Sequence, residues 1–193
     1  MSDPVSPATT GLRRTALELF AVSFVVLFQE LALIRWLPGQ VRVLAYFPNL
    51  ILLSAFLGLG LGCLRAGRRS LLWLWPTSLL VTVLAAVGLG QVVFTQSSAS
   101  EHLYLLYYDL PRDAPVVGDV KAPILFLFVL GTLTFVPLGQ AVAERLQSFR
   151  TRSSPLWGYA WDIAGSLAGV GAFALVGFSG WRPVAWLGVP LVV

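Results

Sequence analysis

Two carboxylates lie inside long apolar stretches of the sequence, Glu30 in FVVLFQELALIRWL and Asp162 in LWGYAWDIAGSLAGV. An ionised side chain in lipid costs roughly 2.5–3.5 kcal/mol even on the lenient insertion scale, so each acid calls for a reason. The chemistry open to such a group is to hold a proton or a cation. The structural alternative is an acid satisfied by a neighbouring helix. At 1.5 Å per residue Glu30 stands ~21 Å into its helix, beyond the membrane midplane, whereas Asp162 is only about six residues into its own. These depths differ by roughly 10 Å, which speaks against one acid–base pair built from both. Depth matching instead sets Asn49 beside Glu30 and Gln140 beside Asp162. Glu30, Asn49, Gln140 and Asp162 are therefore the expected cation- or substrate-binding residues. Arg35 follows Glu30 by five positions, about 140° round an ideal helix, which does not favour a local ion pair and places Arg35 at the outer interface.

Little else in the chain points to chemistry. One cysteine, Cys63, excludes an internal disulfide, and one histidine, His102, with no cysteine near it, excludes the common zinc ligand sets. No metal site and no cofactor are expected. Thirteen Lys and Arg against nine Asp and Glu give a net charge of +4. The basic residues are scattered between apolar runs, a distribution unlike a nucleic-acid-binding face.

The elements that must position these residues are set by composition. The chain has 193 residues, 57% hydrophobic and 11% charged, with mean hydropathy +0.81. An ordinary soluble domain carries roughly 25% charged residues. The sequence predicts an all-α, polytopic transmembrane bundle, since a span needs about 20 mostly apolar residues. Five windows qualify, at residues 16–37, 43–64, 71–94, 124–143 and 156–178. An apolar run at 184–193 is about half a span and is expected to be a partial sixth, in a polypeptide that continues. Residues 1–15 read as a tail and 16–193 as the membrane domain. A cleaved signal peptide fits the start poorly, because the first apolar run is long, contains Glu30 and is followed by further spans.

Positive charge near the span ends gives the orientation. Arg13, Arg14, Arg65, Arg68, Arg69, Arg145, Arg150 and Arg152 fall on the side of the N-terminus, against Arg35, Arg42, Arg112, Lys121 and Arg182. The N-terminus is thus expected in the cytoplasm, with the acidic loop 95–121 outside. Within that loop SEHLYLLYYDL, at 100–110, has the leucine and tyrosine spacing of an interfacial helix. All seven tryptophans lie near a predicted span end, where an amphipathic ring favours the headgroup zone.

Small residues mark where helices are expected to touch. Gly58 and Gly62 form a small-xxx-small pair, and Gly158, Asp162, Gly165, Gly169 and Ala172 recur at three- and four-residue steps. Pro48 and Pro137 fall inside predicted spans, where each removes a backbone donor and is expected to kink its helix.

FQELALIRWLPGQVRVLAYFPNLILLSAFLGLGLGCLRAGRR, at 28–69, resembles the opening of the membrane-anchored spermidine synthase-like proteins, bacterial relatives of the polyamine aminopropyltransferases. Glu30 and Arg35 keep that family's five-residue spacing, while Leu33 stands where its tryptophan is expected. GTLTFVPLGQAVAERL at 131–146 is similar to the family's threonine-phenylalanine-proline helix, and LWGYAWDIAGSLAGVGAF at 156–173 to its aromatic-x-x-Asp-x-x-Gly helix. Glu30, Arg35, Pro137 and Asp162 match as structural positions. The resemblance implies a bacterial inner-membrane domain that anchors a cytoplasmic transferase domain and passes it a cationic polyamine. No strand, glycine-rich loop and ribose-binding acid of a nucleotide-binding domain stand in this sequence, so no catalytic residue is assigned. The alternative is a non-catalytic accessory subunit that packs its glycine faces against a protein partner, or against a second copy, in a larger membrane complex.

Overall fold

A computed structural model describes residues 7–47, 49–91, 93–95, 116–119, 121–152, 154–181 and 183–191. Among these residues the fold is helical apart from one pair of short strands. Helix α1 spans Pro7–Gln40, α2 Asn49–Leu64, α3 Trp75–Leu89, α4 Lys121–Arg152, α5 Pro155–Phe178 and α6 Pro183–Gly188. Short 3-10 turns at Arg42–Tyr46, Leu72–Leu74 and Val189–Leu191 extend the connections. Segments β1 (Val93–Thr95) and β2 (Val116–Asp119) pair in parallel, Val93 opposite Val116. The stretch 100–110 lies outside the described residues.

Four helical segments are long and apolar enough to cross a membrane: Gly11–Gln40, Leu72–Leu89, Lys121–Thr151 and Pro155–Phe178. The expected second span is shorter than its sequence window. Its first residues form the 3-10 turn, and α2 begins only at Asn49, leaving 16 residues. That is ~24 Å against a hydrocarbon core of about 30 Å. Pro48 lies outside the described residues. Proline stands inside α4 at Pro137 and inside α1 at Pro38. The partial sixth span is a six-residue helix and one 3-10 turn.

Local sequence explains the ends. Pro155 and Pro76 occupy the first turns of α5 and α3, where the missing amide proton has no intrahelical partner to lose. Past the end of α2, Gly67 has φ +81°, a left-handed conformation that a Cβ would penalise. It lets the chain reverse within a few residues.

Side-chain contacts fix the direction of each helix. Arg145 Nε lies 3.7 Å from Glu18 Oε2, so the end of α4 meets the start of α1. The Leu71 amide donates to Gln140 Oε1 at 3.2 Å, bringing the approach to α3 against the end of α4. A Cβ on Gly90 would lie 2.6 Å from the Gln40 carbonyl oxygen, joining the ends of α3 and α1. Alpha5 runs parallel to α1, with Gly165 on Phe20, Gly169 on Phe24 and Phe173 on Phe28. Alpha2 runs parallel to α4, with Gly58 on Thr132 and Phe135, and Gly62 on Val136 and Gln140. Successive helices therefore alternate in direction.

One end of the bundle accordingly collects Arg13, Arg14, Arg65, Arg68, Arg69, Arg145 and Arg150, and the other Arg35 and Lys121. Between the ends the exterior is apolar, with Phe56 and Leu61 of α2, Leu80 and Leu84 of α3, and Leu167 and Leu175 of α5 exposed. Apolar surface on this scale suits lipid and not water.

Glycine is what permits the two closest helix pairs. A Cβ at Gly58 would approach Phe135 Cβ at 2.8 Å, and one at Gly165 would lie 3.0 Å from the Phe20 carbonyl carbon. Without those Cβ atoms the backbones come close enough for dispersion across the seam, which drives association where lipid offers no hydrophobic gain.

Candidate functional site

Helix α1 is the axis of the core. From Val25 to Leu37 the buried residues Val25, Val26, Phe28, Gln29, Glu30, Ala32, Leu33, Trp36 and Leu37 take up a little over half of its circumference, while Leu27, Leu31 and Ile34 on the remaining side are only partly buried and Arg35 is exposed. Alpha5 takes one flank through Phe20, Phe24 and Phe28, and α4 takes another. Gln29 lies near the middle of that buried arc and Glu30 at its edge, next to Ile34.

Glu30 is 6% exposed, and among the described residues no hydrogen bond or ion pair reaches its carboxyl group. Its neighbour Gln29 is fully buried, and both its amide nitrogen and its amide oxygen lack partners. Most side-chain polar atoms as deep as the Gln29 amide are hydrogen-bonded, which makes that amide an exception, while the Glu30 oxygens are not among the fully enclosed atoms. Counting from the Glu18–Arg145 contact, an equal number of residues along α1 and back along α4 carries Glu30 to the level of Leu133, between Thr132 and Thr134.

The hydroxyls at this depth are satisfied among themselves. Thr134 and Thr82 share a hydrogen bond of 2.9 Å across α4 and α3, Thr134 also donates to the Leu130 carbonyl at 3.0 Å, and Thr132 to the Phe128 carbonyl at 2.9 Å. Ser54 on α2 donates to the Ile51 carbonyl at 2.7 Å. They leave Gln29 and Glu30 unserved. Glu30 offers two acceptor oxygens and Gln29 one, from successive positions about 100° apart round the helix.

The partners expected from depth matching are replaced by others. Asn49 is the exposed first residue of α2, and among the described residues no hydrogen bond joins it to Glu30. Asp162 is half-buried at the α1–α5 seam, where the Ser23 hydroxyl donates to its Oδ1. Gln140 instead ties down the chain between α2 and α3. Its Nε2 donates to the carbonyls of Arg68 at 3.2 Å and Arg69 at 3.1 Å and to Glu144 Oε1 at 2.9 Å, while its Oε1 accepts from the Leu71 amide. An amide with two donors and an acceptor fits a returning loop better than a single carboxylate. Glu30, Asn49, Gln140 and Asp162 thus do not converge on one site.

Arg35 makes no pair with Glu30; its guanidinium lies over the Trp186 ring at 5.3 Å, a cation–π contact at the far end of α1. Among the described residues no group of three or more His, Cys, Asp and Glu side chains could hold a metal ion. Tryptophan placement departs from the sequence expectation as well. Trp73, Trp157 and Trp181 are exposed, but Trp36, Trp75 and Trp186 are buried, and the indole N–H groups of Trp75 and Trp186 find no acceptor.

Sequence reasoning passed over Gln29 and Ser23. The signal for Gln29 is its position beside Glu30, as a second polar residue at a depth where one is already costly. Ser23 carries no such signal, since a serine can bond its own helix.

No protein family, no curated protein and no solved structure matches this chain.

Proposed function

We propose that this chain is the membrane-embedded part of a polyamine-handling system, holding a cationic amine at Glu30 and Gln29 and anchoring a cytoplasmic aminopropyltransferase-type domain in a bacterial inner membrane. The observation that carries the reading is the Glu30 carboxyl, 6% exposed as a residue and without a partner among the described residues, next in sequence to the unpartnered Gln29 amide. A carboxylate in low dielectric favours a nearby cation, by about 4 kcal/mol at 4 Å and an effective dielectric near 20. The Glu30 carboxylate can accept two of the three N–H donors of a primary ammonium. A calcium ion takes six to eight oxygens and a magnesium ion a near-ideal octahedron, so the residues here suit an amine better.

In this reading α2 also crosses the membrane. Its two ends join opposite ends of the bundle, and it lies along α4 through Gly58 and Gly62. The arginine-rich end faces the cytoplasm by the positive-inside rule, which puts the N-terminus there too. The kinship with the spermidine synthase-like proteins rests on the motifs around Glu30, Pro137 and Asp162.

The test is equilibrium binding of radiolabelled spermidine to the full chain in liposomes. Saturable binding that falls by about tenfold or more in Glu30→Gln, a loss of about 1.4 kcal/mol, supports the reading. Unchanged binding in a Glu30→Gln protein with wild-type helicity, or none in the wild type, overturns it.

A further inference from the structure

The arginine-rich end holds a second feature that the amine site does not use. A cleft of about 410 Å³ opens between the first turns of α1, the last turns of α4 and the start of α5. Its walls are Leu12 and Leu17 from α1, Phe149 from α4, and Trp157 and Trp161 from α5, and its charged lining residue is Arg13. Beside it α5 packs closely on α4, since a Cβ on Gly158 would meet Phe149 Cβ at 3.2 Å.

The charges around the cleft are unevenly committed. Arg14 Nε pairs with Glu18 Oε1 at 3.0 Å, and Arg145 Nε lies 3.7 Å from the other oxygen of the same carboxylate. Arg13 is exposed and has no counter-ion among the described residues. An apolar cleft beside a free guanidinium, walled by two tryptophans of the kind that sit at headgroup level, has the chemistry of an amphiphile with a negative head. We propose that this cleft binds one anionic phospholipid, with an acyl segment against Trp157, Trp161 and Phe149 and the phosphate on Arg13.

Selectivity follows from the same charge count. A zwitterionic lipid brings its own cation to the cleft beside Arg13, which already lacks a counter-ion among the described residues. An anionic lipid brings none. Basic pockets on the cytoplasmic side of helix bundles bind anionic headgroups in this way.

The experiment delipidates the full chain in mild detergent, offers phosphatidylglycerol and phosphatidylcholine of identical chains, and counts retained lipid by native mass spectrometry. The wild type is expected to keep one phosphatidylglycerol with about fivefold preference, the ratio given by about 1 kcal/mol per basic side chain at an anionic surface. Arg13→Gln should abolish the preference, Arg13→Lys should keep most of it, and Arg14→Gln, whose guanidinium is already held by Glu18, should leave it unchanged. Equal retention of both lipids by the wild type overturns the proposal. So does an equal loss in Arg13→Gln and Arg14→Gln, which would mean diffuse attraction and no site. Displacement of the lipid by inorganic phosphate alone would make it an anion site and overturn the lipid assignment.

Discussion

The Ser23 hydroxyl of α1 donates to the Asp162 carboxylate of α5, joining two helices that run in the same direction and are separated by most of the chain. The bond lies on the glycine-lined seam where Phe20 and Phe24 meet Gly165 and Gly169. It gives Asp162 a structural partner and leaves Glu30 as the acid without one.

Removing that donor should weaken the seam. Ser23→Ala is expected to lower stability by about 0.6–1.7 kcal/mol, the range of interhelical hydrogen bonds in membrane bundles. Asp162→Asn keeps an acceptor and should cost less. Unfolding in mild detergent, followed by circular dichroism, measures both.

The seams themselves should resist any added bulk. Gly165→Leu forces side-chain atoms into the Phe20 backbone and is expected to cost about 1–3 kcal/mol, as overpacking does elsewhere. Gly171 on the same helix has nothing within 4 Å of a built Cβ. Gly171→Ala should be neutral or stabilising by up to about 1 kcal/mol, through helix propensity alone. Thermal unfolding of the two variants side by side separates seam packing from a general intolerance of substitution.

Gln140 should govern the order of the connection between α2 and α3. Gln140→Leu removes the acceptor for the Leu71 amide and the donor for the Arg68 and Arg69 carbonyls. Stranded buried partners cost about 1–3 kcal/mol. Hydrogen exchange at the Leu71 amide is expected to speed up, while exchange in the middle of α5 stays at the wild-type rate.

Topology is open to a labelling test, since the chain has one cysteine, Cys63. In a Cys63→Ser background, Gly11→Cys and Gln91→Cys place thiols at opposite ends of the bundle, both at exposed positions. In right-side-out vesicles a membrane-impermeant maleimide should label Gln91→Cys and spare Gly11→Cys, and inverted vesicles should reverse the pattern. Labelling of both from one face would contradict the alternating arrangement.

Much of the fold was legible because its determinants are local. Gly58, Gly62, Gly165 and Gly169 announce a close seam by spacing alone, and long apolar runs announce helices. The sequence window overstated α2, because an apolar run does not reveal where a 3-10 turn replaces helix; Val43 and Leu44 look like span residues and lie in the turn. Partner choice was less legible. Depth matching treats helices as parallel rods and omits the loops, so Gln140 was assigned to Asp162 when the returning chain at Arg68 and Arg69 lay closer. The burial of Trp36, Trp75 and Trp186 was hidden for a related reason: nearness to a span end says nothing about which face of the helix a ring occupies.

The central claim is that Glu30 holds an amine inside the bundle, and chemical modification with protection tests it most directly. A hydrophobic carbodiimide adds to a protonated carboxylic acid in an apolar setting and leaves a stable acylurea on it. Treated in liposomes, the chain should be modified at Glu30, read by mass spectrometry of the α1 peptide, and saturating spermidine should suppress that modification, whereas choline, which has no N–H donor, should not. Modification of Glu30 at the same rate with and without spermidine would contradict the account.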